Sequence, residues 1–179
     1  EHSNLGLQAS YSFASKLGNG QLGLGVSLGM FQSALGNEWR QADDGDPAIN
    51  TSSVTGSSAD LGAGIYYNTQ DVYIGLSTAH ITEPTIELSG SSSFNMKRHY
   101  FMIAGYYYSL NPNISLNPST YLKSDGATSQ LDINCNVIYN NKIWGGLSFR
   151  HAEPDFKPEL VVLTGMNITE DLKFGLAYD

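Results

Sequence analysis

Residues 139–150 read YNNKIWGGLSFR: an apolar strand ends, a paired Asn-Asn turns the chain, and an aromatic, glycine-rich strand leaves. The pattern predicts a β-hairpin, because Asn pairs suit the tight turns that join antiparallel strands. Similar hairpins recur at residues 67–77 and 168–178, with a looser copy at residues 17–26. Recurrence at irregular spacing indicates a chain built from one kind of hairpin used repeatedly.

The composition indicates that something other than water covers part of the surface. Of 179 residues, 41% are hydrophobic and only 15% are charged, whereas soluble domains carry about 25% charged residues. No apolar run approaches the ~20 residues that a membrane-spanning helix needs. The net charge of -8 makes a nucleic-acid partner unfavourable, because no basic stripe is available to neutralise phosphates. A single cysteine, Cys135, excludes an intramolecular disulfide.

Strict alternation of apolar and polar residues predicts about ten strands. In residues 21–32 one face is aliphatic and the other is almost entirely Gly and Ser. A soluble sandwich would show Lys, Glu and Thr on its polar face; Gly and Ser beside an aliphatic face are typical of a barrel wall with lipid outside and a crowded or wet interior. In residues 131–139 the row Asp132, Asn134 and Asn136 fits a hydrated lumen.

The connections predict two different edges. Those at residues 15–20, 68–71, 111–113, 140–142 and 169–171 are all short; the other edge carries residues 33–58, 82–98, 124–126 and 152–158, including every long connection. Outer-membrane barrels combine tight periplasmic turns with longer outer loops. Aromatic residues beside the short turns would form an interfacial girdle, namely Tyr67, Tyr73, Tyr106, Tyr107, Tyr108, Tyr139, Trp144, Phe174 and Tyr178.

The sequence therefore predicts an all-β, antiparallel, up-and-down transmembrane β-barrel. We expect residues 1–179 to form one barrel domain, with about ten strands that belong to a larger barrel. Residues 33–58 would form a long outer loop, and residues 82–98 a second outer loop.

Candidate chemistry is sparse. His80 with Glu83, and His151 with Glu153 and Asp155, place a histidine near carboxylates as a metal site could. Neither set supplies a further ligand at a fixed spacing, so we expect no metal and no cofactor. Because no nucleophile, phosphate-binding or acid-base pattern is present, we expect no enzymatic activity.

Six strings carry a family likeness: residues 60–68 (DLGAGIYYN), 72–77 (VYIGLS), 116–123 (LNPSTYLK), 130–134 (QLDIN), 139–150 and 174–179 (FGLAYD). In this order and spacing they resemble the PorP/SprF family of Bacteroidetes outer-membrane proteins, from about the first strand to the last residue. The resemblance implies a barrel of about fourteen strands that serves the type IX secretion system and, in gliding species, surface adhesin attachment. Family members carry further strands at both ends, so we expect this chain to be an incomplete barrel.

The function that the resemblance implies is protein secretion and gliding motility at the outer membrane, with docking or anchoring of exported proteins at the cell surface. Its partners would be the C-terminal sorting domain of secreted cargo or a surface adhesin, periplasmic and outer-membrane secretion components, and the lipid bilayer. On the longest loop an aromatic and an Arg lie beside acids, as in many contact surfaces; the expected partner-binding residues are Trp39, Arg40, Asp43, Asp44 and Asp46.

Three alternatives stay open. The longest loop could merely cover the barrel mouth without contacting a partner. The protein could be a passive porin-like channel, which an open, conducting lumen would favour. It could also be a soluble antiparallel β-barrel that binds an apolar ligand, which would be recovered in the aqueous phase without detergent.

Overall fold

The computed structural model describes residues 2–36, 54–89, 92–152, 158–169 and 172–178. These residues form strands and turns, and the strands are β1 (His2–Leu17), β2 (Gly20–Leu35), β3 (Val54–Asn68), β4 (Val72–Ala79), β5 (Thr85–Ser89), β6 (Ser92–Asn95), β7 (His99–Tyr106), β8 (Tyr108–Asn111), β9 (Ile114–Ser124), β10 (Ser129–Tyr139), β11 (Ile143–Ala152), β12 (Glu159–Asn167) and β13 (Lys173–Tyr178). Across the described ranges, the structure has no helix with the length and apolar character to cross a membrane.

The strands form one large sheet in the order β1-β2-β3-β4-β7-β9-β10-β11-β12-β13, with β8 paired to β9 beside β7. Strands β5 and β6 make a separate two-stranded sheet inserted between β4 and β7. From β7 to β13 every pairing is antiparallel. The ten strands along the main path are those that the alternation predicted, in the same order, so the all-β, antiparallel, up-and-down prediction is confirmed.

The register separates two faces of the β9–β12 wall. Directly opposite residues of antiparallel strands share a face, and in β10 the residues alternate between faces. We call one the polar face, defined by Asn117, Ser119, Tyr121, Asp132, Asn134, Asn136, Ser148 and Arg150. We call the other the apolar face, defined by Ile133, Cys135, Val137, Leu147, Phe149, Leu160 and Val162.

Burial is inverted relative to a water-soluble protein. Among the described residues, the buried hydrophobic side chains are Ile86 and Val161, while every residue that defines the apolar face is exposed. Buried polar side chains include Asn117, Asp132 and Ser148 on the polar face. Soluble monomers rarely expose apolar patches larger than a few hundred Å², so a medium or partner other than water covers this face.

The chain divides into two units. Unit 1 comprises Glu1–Tyr11, Gly25–Ala63 and Ala79–Arg98, and it contains the β5–β6 hairpin with its fully buried Ile86. Unit 2 comprises Ser12–Leu24, Gly64–Thr78 and His99–Asp179, and it contains the β7–β13 wall together with the short turns.

Strands reach into both segments that we expected to be loops. Strand β2 continues to Leu35 and β3 begins at Val54, so residues 33–35 and 54–58 are extended strand. The second segment, residues 82–98, contains the β5–β6 hairpin. Their apolar-polar alternation is short or interrupted, which hides strands from pattern reading. Residues 37–53 lie outside the described residues.

Candidate functional site

A fixed ion pair lies on the polar face, where β10 and β11 place Asp132 directly opposite Arg150. Arg150 Nε donates to Asp132 Oδ1 at 3.2 Å, and its Nη2 lies 3.4 Å from Oδ2. Gln130 Nε2 donates to the same carboxylate at 3.1 Å. The Asp132 side chain is only 12% exposed. Removing such a carboxylate from water is costly unless donors compensate for the lost hydration, and here three donor groups do so.

The charged row extends beyond the pair. Glu159 lies opposite Arg150 on β12, with Oε2 3.9 Å from Arg150 Nη1, and its side chain is 58% exposed. Arg150 therefore joins one buried and one exposed carboxylate. Asp132, Arg150 and Glu159 thus place a row of charges on the polar face. They include no nucleophile with an adjacent base, so they act through electrostatic interactions.

Aromatic rings lie in glycine notches on the polar face near the short turns. The Tyr73 ring occupies the position that a Cβ at Gly105 would take, and its hydroxyl donates to Asn117 Oδ1 at 3.4 Å. Asn117 Nδ2 in turn donates to the Tyr106 carbonyl at 3.2 Å. Rings that cover strand glycines restore the packing that a missing side chain would lose.

Trp144 packs in the same manner against two further glycines, Gly165 and Gly175. Its parity in β11 is that of Ser148 and Arg150, so it lies on the polar face. The predicted interfacial girdle is therefore wrong for Tyr73 and Trp144, since a girdle must face outward. Other members, including Tyr139 and Phe174, are exposed with the apolar side chains of their strands.

The short turns of unit 2 are hydrogen-bonded to one another. Asn140 N–H donates to the Asn113 carbonyl at 2.7 Å, and Tyr107 N–H donates to the Asp71 carbonyl at 2.7 Å. Asn167 N–H donates to the Lys142 carbonyl at 2.7 Å, and its Nδ2 donates to the Asn141 carbonyl at 2.6 Å. We call this series the short-turn rim. Because neighbouring turns share hydrogen bonds, the rim is a firm border rather than a set of independent loops.

The turn of the hairpin at residues 139–150 lies in this rim. Asn140 and Asn141 both have positive φ, 51° and 54°, and Lys142 N–H donates to the Tyr139 carbonyl at 2.9 Å. Two consecutive positive φ angles are the signature of a type I′ turn, whose twist matches that of paired strands. Asn tolerates this conformation better than other non-glycine residues, so the paired Asn explains the turn.

The expected partner-binding residues Trp39, Arg40, Asp43, Asp44 and Asp46 all lie outside the described residues. The structure therefore brings none of them into a described site. The ion pair, the glycine notches and the short-turn rim, which the sequence did not reveal as sites, are the described features that could carry function.

The first candidate metal pair, His80 with Glu83, has other partners in the structure. His80 Nδ1 lies 2.9 Å from Asp60 Oδ1, an ion pair when the imidazole is protonated, and Glu83 joins His80 through a backbone hydrogen bond. Glu153 and Asp155 lie outside the described residues, although His151 is in β11. Within the described ranges, no group of three or more His, Cys, Asp or Glu side chains could hold a metal ion.

The turn between β9 and β10 holds an unusually acidic carboxyl group. Thr128 N–H and Ala127 N–H donate to Asp125 Oδ1 at 2.7 and 2.9 Å, and the Thr128 hydroxyl lies 3.1 Å away. These bonds, that from the Thr128 backbone foremost, lower the pKa of Asp125 from 3.8 to about 2. The carboxylate is thereby fixed as the acceptor that closes this turn.

Comparison with known proteins gives one family. Residues 1–179 match the model of one family, which is described as "type IX secretion system membrane protein PorP/SprF". No curated protein matches the chain. The family serves a secretion system as a membrane component and is not a family of enzymes.

Proposed function

We propose that this chain, which belongs to the PorP/SprF family of type IX secretion system membrane proteins, forms part of the wall of an outer-membrane β-barrel that docks or anchors exported proteins at the cell surface. Membership of this family shows that the chain is a membrane protein of the type IX secretion system. The barrel, the outer membrane and the docking role are our proposal. The partners would be the sorting domain of secreted cargo or a surface adhesin, together with other secretion-system components.

The observation that carries the proposal is the exposed apolar face. Leu147, Phe149 and Val162 are each about half exposed, beside Ile133 and Val137 on the neighbouring strand. Side chains of this size gain about 1.5–3 kcal/mol each when fully removed from water. Antiparallel strands that alternate apolar-out and polar-in are the building unit of membrane barrels, so lipid is the covering that fits this face.

The difference between the short-turn edge and the long-loop edge indicates how the proposed barrel is oriented across the membrane. The compact short-turn rim matches periplasmic turns, while residues 33–58 and 82–98 would form the outer, partner-facing side. Docking would then use Trp39, Arg40, Asp43, Asp44 and Asp46, with residues 1–179 acting as one barrel domain. The lumen would be lined by the polar face, with Asp132 and Arg150 as its fixed charges.

The single cysteine tests the lipid-facing assignment directly. Cys135 is exposed on the apolar face between Ile133 and Val137. In membranes of expressing cells we expect it to react with a lipid-soluble maleimide and to resist a charged, water-soluble maleimide until detergent is added. As a control, Lys142→Cys in a Cys135→Ser background, on the short-turn rim, should react with both reagents. Equal reaction of Cys135 with both reagents in intact membranes would contradict the lipid-facing assignment.

The docking role is tested by recovery of cargo. A full-length protein with Trp39→Ala, Arg40→Ala, Asp43→Asn, Asp44→Asn and Asp46→Asn should recover less of a purified cargo sorting domain than the parent in a pull-down. The matched control carries Gln70→Ala and Lys142→Ala on the opposite edge and should recover as much as the parent. Undiminished recovery by the five-residue variant removes the docking role of this loop.

A passive channel is the second candidate, and the polar face favours it. Asn117, Asn134 and Asn136 together with the ion pair would give a hydrated lining. Steady, ohmic conductance of the full-length protein in planar bilayers, combined with no binding of sorting domains, would favour the channel over the docking barrel.

A further inference from the structure

The β5–β6 hairpin forms a second layer on one face of β3. In β3 the even-numbered residues from Gly56 to Gly64 are buried or half-buried, whereas Thr55, Ser57, Ala59 and Leu61 are exposed. A Cβ at Gly56 would lie 2.7 Å from Ile86 Cγ2 and would overlap the Glu87 carbonyl oxygen. The hairpin therefore rests directly on the backbone of β3 at Gly56, and only glycine leaves room for it.

The hairpin covers one side of β3 only. On the covered side lie Gly56 and the half-buried polar residues Ser58 and Asp60, whereas the exposed Leu61 belongs to the opposite side. Since alternate residues of a strand share a face, the hairpin covers the polar side of β3 that these residues define and not the side of Leu61.

Several bonds hold the base of the hairpin to β3. His80 Nδ1 lies 2.9 Å from Asp60 Oδ1, and Ile81 N–H donates to the Leu61 carbonyl at 3.0 Å. Arg98 Nη2 donates to the Ile81 carbonyl at 2.7 Å, which ties the outgoing chain to the incoming one. Positive φ angles at His80 (55°) and Glu83 (47°) turn the chain.

The hairpin also provides one of the two buried hydrophobic side chains among the described residues. Ile86 is fully buried, in contrast to the half-exposed hydrophobic side chains of the large sheet. Its partner across the hairpin is Phe94, and Thr85 Oγ1 lies 2.6 Å from Asn95 Oδ1 at the next pair. Burying one Ile contributes about 1.5–3 kcal/mol, so Ile86 helps to hold the hairpin on β3, while polar contacts hold its base.

We infer that the β5–β6 hairpin is a constriction element, folded against the interior wall of the barrel and restricting passage until it is displaced. The inference rests on the proposed function, because the polar side of β3 becomes an interior only when the sheet closes as a barrel. Packed layers lie about 10 Å apart. A second layer inside the wall would therefore narrow the passage by about this thickness, on the side assigned above to the outer loops.

The position of the hairpin is tested by cross-linking in the full-length, membrane-embedded protein. The pair Ser58→Cys and Ile86→Cys, in a Cys135→Ser background, should form a disulfide under mild oxidation, because Ser58 lies two residues from Gly56 on the side of β3 against which Ile86 packs. The matched control pairs Ile86→Cys with Leu61→Cys on the opposite face of the same strand and should stay reduced. Cross-linking to Leu61, or to neither position, overturns the inference while leaving the barrel proposal intact.

The restriction is tested by conductance in planar bilayers. Ile86→Asp places a charge at a fully buried position and should release the hairpin; we expect conductance to rise about two-fold or more, since a layer about 10 Å thick leaves the passage. Thr82→Asp adds the same charge at an exposed side chain just before the hairpin and should leave conductance at the parental value. Unchanged conductance of Ile86→Asp in correctly inserted protein overturns the inference. Equal reaction of Cys135 with both maleimides would instead contradict the proposed function. In that case disulfide formation in detergent would still show where the hairpin lies.

Discussion

Gly145 and Gly146 are neighbours in β11, yet they meet opposite environments. A Cβ at Gly145 would make only ordinary contact, 3.6 Å from the Leu163 carbonyl, whereas a Cβ at Gly146 would overlap Asn136 Oδ1 and the Cys135 carbonyl. The next two residues repeat the contrast: Leu147 is 53% exposed and Ser148 only 3%. The apolar face is the open one and the polar face is the crowded one. In a protein surrounded by water the openness would be reversed.

The largest effect should come from a charge on the apolar face. Leu147→Arg should destabilise the membrane-inserted protein by about 2–4 kcal/mol, because a cation at mid-depth in the bilayer loses its hydration. Asn134→Arg, on the polar face opposite Ser148, should cost less than half as much. The measurement is reversible urea unfolding in lipid vesicles. Equal costs at the two sites would show that the apolar face does not meet lipid.

The next effect concerns the polar face, where Arg150 lies between two carboxylates. Asp132→Ala removes the buried partner and should cost about 1.5–3 kcal/mol, the usual range for hydrogen bonds to charged groups. Glu159→Gln alters the exposed partner, 3.9 Å away, and should cost less than about 1 kcal/mol. Both are read from the same urea-unfolding transition. If Glu159→Gln lost more stability than Asp132→Ala, burial would not determine how much each carboxylate beside Arg150 stabilises the protein.

A smaller effect should separate the adjacent glycines. Gly146→Ala should destabilise the protein by about 1–3 kcal/mol, because the added methyl group is forced into Asn136 and a backbone oxygen. Gly145→Ala should be neutral or stabilise by up to about 1 kcal/mol, since it restricts the unfolded chain and the added methyl group makes only an ordinary contact. Thermal unfolding in detergent micelles measures both. Similar losses for the two variants would contradict the contrast between the faces.

The contrast between faces could be read from the sequence because alternation is local. Alternation alone puts Leu147 and Phe149 on one face and Ser148 and Arg150 on the other, as the structure has them. The type I′ turn at Asn140 was likewise visible in the paired Asn. For Trp144 the preference of Trp for membrane interfaces predicts the wrong face, whereas its parity, which it shares with Ser148, predicts the polar face that the structure shows.

Features that depend on register could not be read in this way. Asp132 was noted as a polar residue of its strand, but its pairing with Arg150, 18 positions away, follows from a register that alternation does not fix. The β5–β6 hairpin could not be predicted from alternation because its strands are only five and four residues long. The glycine notches of Tyr73 and Trp144 require knowledge of which ring lies over which strand. The expected partner-binding residues, Trp39 to Asp46, stay a prediction.

The smallest effect should come from a carboxylate that belongs to neither face. Like Asp132, Asp125 accepts several hydrogen bonds, but it lies in the exposed β9–β10 turn, and its pKa is lowered from 3.8 to about 2. A lowered folded-state pKa contributes stability above the unfolded value, and this contribution is lost as the pH falls through about 2. The urea midpoint of the parent should therefore change little through this group between pH 7 and pH 4, and the loss should begin below that. Asp125→Asn, which cannot titrate, should flatten this part of the pH profile while leaving both faces intact, whereas Asp132→Ala should lower the midpoint already at pH 7. If Asp125→Asn lowered the urea midpoint at pH 7 as much as Asp132→Ala does, hydrogen bonds to a carboxylate would stabilise the protein equally at exposed and buried sites. Burial on the polar face would then add nothing to the contribution of Asp132.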